Sequence, residues 1–325
     1  MFGSTGWLVL RSVALIVGAF ALMTGTALAQ KGSKPSQKEI SRELRELYES
    51  DQKDQNDPSW TENNDEEFSR RQGVRRERVL EILATGMLAD LEDWSCAAML
   101  LQHGGSADHY LLAHILSVPG GIEDRGTGRF MSAATLDRFL QSIGRAQIFT
   151  TQSGAADPNV YAPMEPFDDS MGQALRALFS LPPLKGPKPE EAKGKAPGAK
   201  DLAKLLELSR KAPVDASSPP EWLHQARAIA AGGTLKSEKE FALAARVLSA
   251  SPAPDDLLWA HVMTLCAAFK ARNETARAVC AESLDRWLVA LGRPQCFDTV
   301  QEDGKPKEPN TPVAEFIRRE YGLSR

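Results

Sequence analysis

Apolar residues recur along this chain at helical spacing, and glycines mark where the pattern stops. In "EDWSCAAMLLQH" Trp94, Ala97, Ala98 and Leu101 fall on one face of a helix that Gly104-Gly105 ends. Leu136, Phe139, Leu140 and Ile143 follow the same i, i+3, i+4, i+7 rule, with Gly144 as the stop. The period then changes. "AQIFTTQ" and "NVYAPME" are short and β-leaning, and "SGAADP" between them predicts a turn, so a hairpin is expected. The spacing predicts a closing helix from Ser170 to Leu181. The fold class expected is mainly α, with one small β-hairpin per domain.

The phrase "LDRFLQSIGRAQIFTTQ" from Leu136 returns from Leu284 as "LDRWLVALGRPQCFDTV", with nine of sixteen residues shared over Leu136–Thr151 and Leu284–Thr299. Upstream, "RVLEILATGMLADLEDWSCAAML" at Arg78 is matched with the shorter "RVLSASPAPDDLLWAHVMTL" at Arg246. Downstream, "MEPFDDSMGQALRALFSL" at Met164 is matched with "KEPNTPVAEFIRREYGL" at Lys307. Between the copies, "PPLKGPKPEEAKGKAPGAK" has too few apolar residues for a core and reads as an extended linker. Two tandem related α-rich domains are therefore expected: residues 36–184, a linker at 185–200, and a divergent second copy at 201–325. A second low-order stretch, "DQKDQNDPSWTENNDEE", predicts a turn-rich loop in the first half.

The first residues change the address. Arg11 precedes the uncharged run "SVALIVGAFALMTGTALA", which ends on Ala27-Leu28-Ala29, so residues 1–29 read as a secretory signal peptide; an uncleaved membrane anchor is the alternative. Export means an oxidising compartment, in which Cys266–Cys280 or Cys280–Cys296 could pair while Cys96 stays a buried thiol. A formal net charge of −4 gives no electrostatic case for nucleic acid.

Candidate chemistry lies around the repeated phrase. Arg138 and its copy Arg286 point away from their apolar stripe, which leaves either a tie to neighbouring backbone or an anion site. Asp137 lies about 100° around the helix, so each needs its own partner. Gln147 and Gln295, just past the helix stop, have amides suited to bridging a turn, and Thr151 and Thr299 follow four residues later. The copies differ at "LLQHGG", where Gln102 and His103 end a helix in the first half and the second half is matched at "MTLCAAF". His103 fits a helix-end cap or a general base. His103, His109 and His114 follow no common zinc spacing, so no metal is expected, and no nucleophile elbow, phosphate loop or dinucleotide motif is present, so no cofactor is expected either.

Taken together, "ELRELYESDQKDQ", "WSCAAMLLQHGG", "LDRFLQSIGRAQIFTTQ" and the closing helix resemble a bacterial family of secreted domains of unknown function. The family pattern falls on Asp51 and Gln52, Gln102 and His103, Asp137 and Arg138, Gln147, and Thr151-Gln152, with Thr150 where the family has glycine. The resemblance implies residues and architecture, and no reaction. Export, duplication and the absence of a catalytic motif point to a non-catalytic binding or interaction module of the periplasm or cell surface, whose partner is an unidentified protein or cell-envelope ligand. The alternative is a hydrolase-like enzyme with His103 as base, Gln102 and Gln147 as hydrogen-bond donors, and Asp137 or Asp51 orienting the imidazole. Asp51, Arg138, Thr151 and Gln152 are the binding residues expected.

Overall fold

In the first half five helices form where the apolar spacing places them. These are α1 (Gln37–Gln55), α2 (Asp65–Thr85), α3 (Leu91–Gln102), α4 (Ala107–Ile122) and α5 (Gly128–Ser142), followed by the short α6 (Gln173–Leu178). The second half supplies α7 (Leu202–Ser209), α8 (Glu221–Ala231), α9 (Glu238–Leu248), α10 (Pro254–Ala271), α11 (Glu274–Ala290) and α12 (Glu315–Glu320). The computed structural model describes residues 35–59, 65–124, 127–153, 163–183, 198–211, 214–215, 218–302, 305–306 and 315–323. The signal segment and most of the linker lie outside them.

Local chemistry sets the helix ends. Asp90 caps α3 by accepting from the amides of Glu92 and Asp93, and Asn273 caps α11 by accepting from Ala276 N at 2.9 Å. Ser237 and Glu240 close a capping box on α9. Gly144 and Gly292 stop α5 and α11 with φ of +73° and +69°, a conformation that a side chain would strain. Trp94, Ala97, Ala98 and Leu101 face the core as their spacing predicts, as do Leu136, Phe139 and Leu140.

The fold is mainly helical, and several finer expectations are corrected. The "DQKDQ" stretch continues α1 and does not form a loop, because helical continuation puts Asp51 and Asp54 on the buried face against α2. Among the described residues the first hairpin is reduced to two isolated bridges, Gln147 with Phe167 and Ser153 with Pro163. The second is a two-residue antiparallel ladder of β1 (Gln301–Glu302) with β2 (Lys305–Pro306). Side-chain bonds described below hold these loops, so little strand pairing is needed. All four cysteines are free and buried. Cys266 and Cys280 do come near each other in the α10–α11 hairpin, and burial pushes both thiols up, but packing in the apolar core accommodates them without a bond.

The register of the repeat also differs from the sequence match. Asp93 accepts from Ala89 N, and Glu240 accepts from Lys236 N; 147 residues separate both donors and both acceptors. Ser117 donates to Ala113 O in α4 as Thr264 donates to Ala260 O in α10, at the same offset. Thus α3 corresponds to α9 and α4 to α10, and the counterpart of His103 is Ala250, outside "MTLCAAF". The misleading identity was "RVL", which lies inside α2 in the first half and ends α9 in the second.

The halves do not stand apart as bodies on a joint, since Gln37–Arg325 forms one compact unit. Along the seam equivalent residues meet. Phe139 and its counterpart Trp287 pack edge to face at 5.7 Å. Arg145 pairs with Asp255, and reciprocally Arg293 reaches Asp108. Phe179 packs on Phe269 of α10, while Tyr321, in the corresponding place, donates to Ile115 O of α4 at 2.6 Å. At the centre His114 Nε2 lies 3.1 Å from His261 Nε2. Ser132 O can only accept, so His114 carries its proton on Nδ1, at 2.8 Å, and offers Nε2 as acceptor. His261 therefore donates through Nε2, and its Nδ1 lies 2.8 Å from the Ser283 hydroxyl, whose single proton is shared between this nitrogen and Cys280 O at 2.9 Å.

Burial keeps both rings neutral, pushing His114 down to about 4 and His261 well down. The unfolded chain binds these protons near the ordinary histidine pKa and the folded chain does not. The histidines' contribution is therefore complete above pH 6.5 and is lost as pH falls toward 4. His114 alone accounts for roughly 3 kcal/mol. Urea midpoints measured between these limits should fall more steeply for the native chain than for a His114→Leu/His261→Leu variant; parallel curves would refute the neutral pair.

Candidate functional site

The repeated residues are best read by what they hold. Asp137 Oδ1 accepts from the amides of Ile148 (2.9 Å) and Phe149 (3.0 Å), and Oδ2 accepts from the amide and hydroxyl of Thr151, both at 2.8 Å. Asp285 repeats this with Cys296, Phe297 and Thr299. Gln147 accepts from Gln152 N at 2.9 Å and donates to Gln152 O at 3.0 Å, as Gln295 does with the amide and carbonyl of Val300. Arg176 and Arg318 bind the carbonyls of Phe149 and Phe297 from the following helix. In both halves, then, one carboxylate, one amide and one guanidinium fold the loop after a core helix.

This assigns several expected site residues to the loop. Asp137, Gln147 and Thr151 satisfy one another and the backbone, and none of them bonds to His103. Gln152 donates to Ala134 O at 3.3 Å and to Thr151 Oγ1 at 2.8 Å. Burial pushes Asp137 up to about 6, against the pull of its four donors, and pushes Asp285 up too.

His103 has different neighbours. Its Nδ1 lies 3.0 Å from Asp51 Oδ2 of α1, and its Nε2 lies 3.3 Å from Gln102 Nε2. A carboxylate at Nδ1 fixes the proton there, so Nε2 is the acceptor facing Gln102. Of the two carboxylates that could orient the imidazole, Asp51 is the one that meets it. Gln52 Nε2 also donates to Asp51 Oδ2, at 3.1 Å. His103 keeps 18% of its side chain exposed, whereas Asp51 has none.

The wall opposite comes from α2. Arg75 pairs with Asp54 and donates to Ser50 Oγ at 2.9 Å, and Arg71 reaches the other Asp54 oxygen at 2.9 Å. Arg76 donates to His103 O at 2.9 Å, closing the end of α3. Gln72 lies one turn before Arg75 and Arg76 on the same buried face. His109 completes the group: a Cβ at Gly104 would lie 2.4 Å from His109 Cβ, so only glycine lets this ring settle against the turn after His103. Burial and Arg76 push His109 down, which keeps it neutral.

Buried polar atoms without a partner concentrate here. Asp51 Oδ1, Arg75 Nη1, both amide atoms of Gln72 and His109 Nδ1 have none, and neither has Nε of Arg138, the α5 residue beside Tyr110. Asp51 Oδ1 and Arg75 Nη1 face each other across 4.0 Å, too far for a direct hydrogen bond. Elsewhere such atoms occur singly, as at Trp287 Nε1 and Arg277 Nε. Buried groups of this kind are costly unless something satisfies them.

The sequence reading missed Gln72, Arg75, Arg76 and His109. "RRQGVRRERV" looks like a solvated charge run; its signal is the i, i+3, i+4 spacing of Gln72, Arg75 and Arg76 opposite Asp51 and Asp54 at i, i+3. Among the described residues no three His, Cys, Asp or Glu side chains converge on a metal position. No family model matches the chain, and no curated protein or solved structure is detectably similar to it.

If the loop carboxylates are architectural, Asp137→Ala leaves three backbone amides and a hydroxyl without their acceptor and should cost about 3 kcal/mol or more. Asp285→Ala should cost a comparable amount. Denaturant titration of both variants measures this; a loss confined to Asp137 would show that the loops are not equivalent in energy.

Proposed function

We propose that this chain is an exported, non-catalytic binding module of the periplasm or cell surface, built by duplication of one α-rich unit, whose first half alone holds a ligand site. The observation that carries the reading is the concentration of unpartnered buried polar atoms around His103: Asp51 Oδ1, Arg75 Nη1, both ends of Gln72 and His109 Nδ1. A bound polar ligand would supply partners to all of them at once. His103 and Gln102 are absent from the second half, where Ala250 and Ser249 stand in their places. The duplication is supported by matching hydrogen bonds around Asp137 and Asp285, and around Gln147 and Gln295. Export rests on residues 1–29. Among the described residues no helix is long and apolar enough to cross a membrane.

The alternative, a hydrolase-like enzyme, has one observation in its favour. Asp51 holds the His103 proton on Nδ1, so Nε2 can take a proton from water once Gln102 turns aside. Among the described residues no serine, threonine or cysteine hydrogen-bonds to His103, so this reading uses water as nucleophile and has no covalent step.

A thermal-shift screen of the mature chain against small polar compounds and cell-envelope fragments tests both readings. A stabilising ligand should lose about tenfold or more in affinity in His103→Ala and in Asp51→Asn, with no ligand consumed. Consumption of a ligand by the native chain and its abolition in His103→Ala would replace the module with the enzyme. Ligands that bind both variants as they bind the native chain would move the site elsewhere.

A further inference from the structure

The second half shows what the same scaffold does without a ligand. Arg286 on α11 corresponds to Arg138 on α5, and its Nη2 donates to Ser249 O at the end of α9, 2.9 Å away. Ser249 stands where Gln102 ends α3, so the same arrangement in the first half would put Arg138 toward the Gln102–His103 end of that helix. Arg138 makes no such bond. Its guanidinium is engaged by the Tyr110 hydroxyl instead, burial pushes it down from the ordinary arginine range against that contact, and its Nε is buried without a partner.

A second exchange points the same way. Asp256 corresponds to His109 at the offset of 147 residues, and Asp256 is bound by Arg227 at 2.5 and 2.9 Å. Arg227 comes from α8, the helix before α9; at the same offset the first half has Leu80, while Arg76, one turn earlier on α2, donates to His103 O. The second half thus closes its version of the site with a buried carboxylate on one arginine and a carbonyl on the other. The first half keeps Arg138 and has Arg75 and Arg76 one turn away from the place of Arg227, but it replaces the internal carboxylate by neutral His109 and withholds Arg138 from the carbonyl. An internal anion and an internal acceptor are both missing where cations and amide donors remain.

Resting on the binding reading above, we infer that the first-half site takes an oxyanion, the carboxylate or phosphate group of a small ligand, with Arg138 as its anchor and Arg75 Nη1 and Gln72 Nε2 as further donors. A planar guanidinium fits either group with paired N–H bonds, and with few competing partners it loses little on binding. Asp51 Oδ1 and Gln72 Oε1, the free acceptors, then call for a hydroxyl or amine elsewhere on the same ligand.

The test uses the mature full-length chain, with sodium phosphate, sodium sulfate, sodium acetate and sodium succinate as probes in calorimetric titrations at ionic strength held constant with chloride. Phosphate or a carboxylate should bind saturably, and Arg138→Gln should weaken it by at least about tenfold. Arg286→Gln should leave affinity within about twofold while lowering the melting temperature, because it removes only a helix-end bond. If Arg138→Gln does not fold, Arg138→Lys, which keeps the charge and loses the fork, should still weaken binding several-fold. No saturable binding of any of these anions, unchanged affinity in the Arg138 variants, or equal weakening by Arg286→Gln would each overturn the inference. A neutral ligand that depends on His103 while no anion binds would overturn it and leave the binding module standing.

Discussion

The two halves of this molecule meet around two imidazoles buried in the core. His114 and His261 occupy equivalent places on α4 and α10, and a hydrogen bond between them is possible only if one donates and the other accepts. The identical positions must therefore carry different tautomers, so the seam is symmetric in shape and asymmetric in protons. Around it Phe139 meets Trp287, and Arg145–Asp255 answers Arg293–Asp108. Such reciprocity is the mark of an interface between copies, residue i on j and j on i. Here the two halves lie in one chain and in one compact unit, and neither has its apolar face covered without the other.

The seam lets the repeated residues be sorted by physical role. A residue kept in both halves with the same bonds in both is explained by the fold. The carboxylates of Asp137 and Asp285 pass this comparison, as do the amides of Gln147 and Gln295 and the guanidinium groups of Arg176 and Arg318. A residue kept in both halves with different bonds is not explained by the fold alone, and Arg138 against Arg286 is that case. Shared identity between the repeats cannot separate these classes; bonding can.

The same distinction explains what was legible in the sequence. The faces of α3 and α5 and their glycine stops follow from local chemistry and are found as the spacing predicts. The repeat was legible where the loop chemistry demands identical residues, and misaligned upstream, where only apolar character is required and "RVL" matched by chance. The seam left no local signal, because a face buried against another half has the same periodicity as one buried within its own. The site was half legible. Gln102, His103 and Asp51 are uncommon residues in marked positions, whereas Gln72, Arg75 and Arg76 look like any charged surface until α1 covers them.

Burial of that charged face is the remaining energetic question, and the halves answer it differently. In the second half Arg227 holds Asp256 and Arg286 holds a carbonyl, so the polar groups of that pocket satisfy one another. In the first, Arg75 is shared among Ser50 and Asp54, Arg76 caps α3, and several donors and acceptors remain open. Leaving such groups buried and unpaired costs about 1–3 kcal/mol each, a burden that a small helical unit could not easily carry alone. Fused to a half whose polar groups are closed, it need not, because the shared core stabilises both together. On the proposed binding role, the absence of His103 from the second half and the open donors of the first are two sides of one arrangement, in which the second half supplies stability and the first is free to hold a site that a ligand completes.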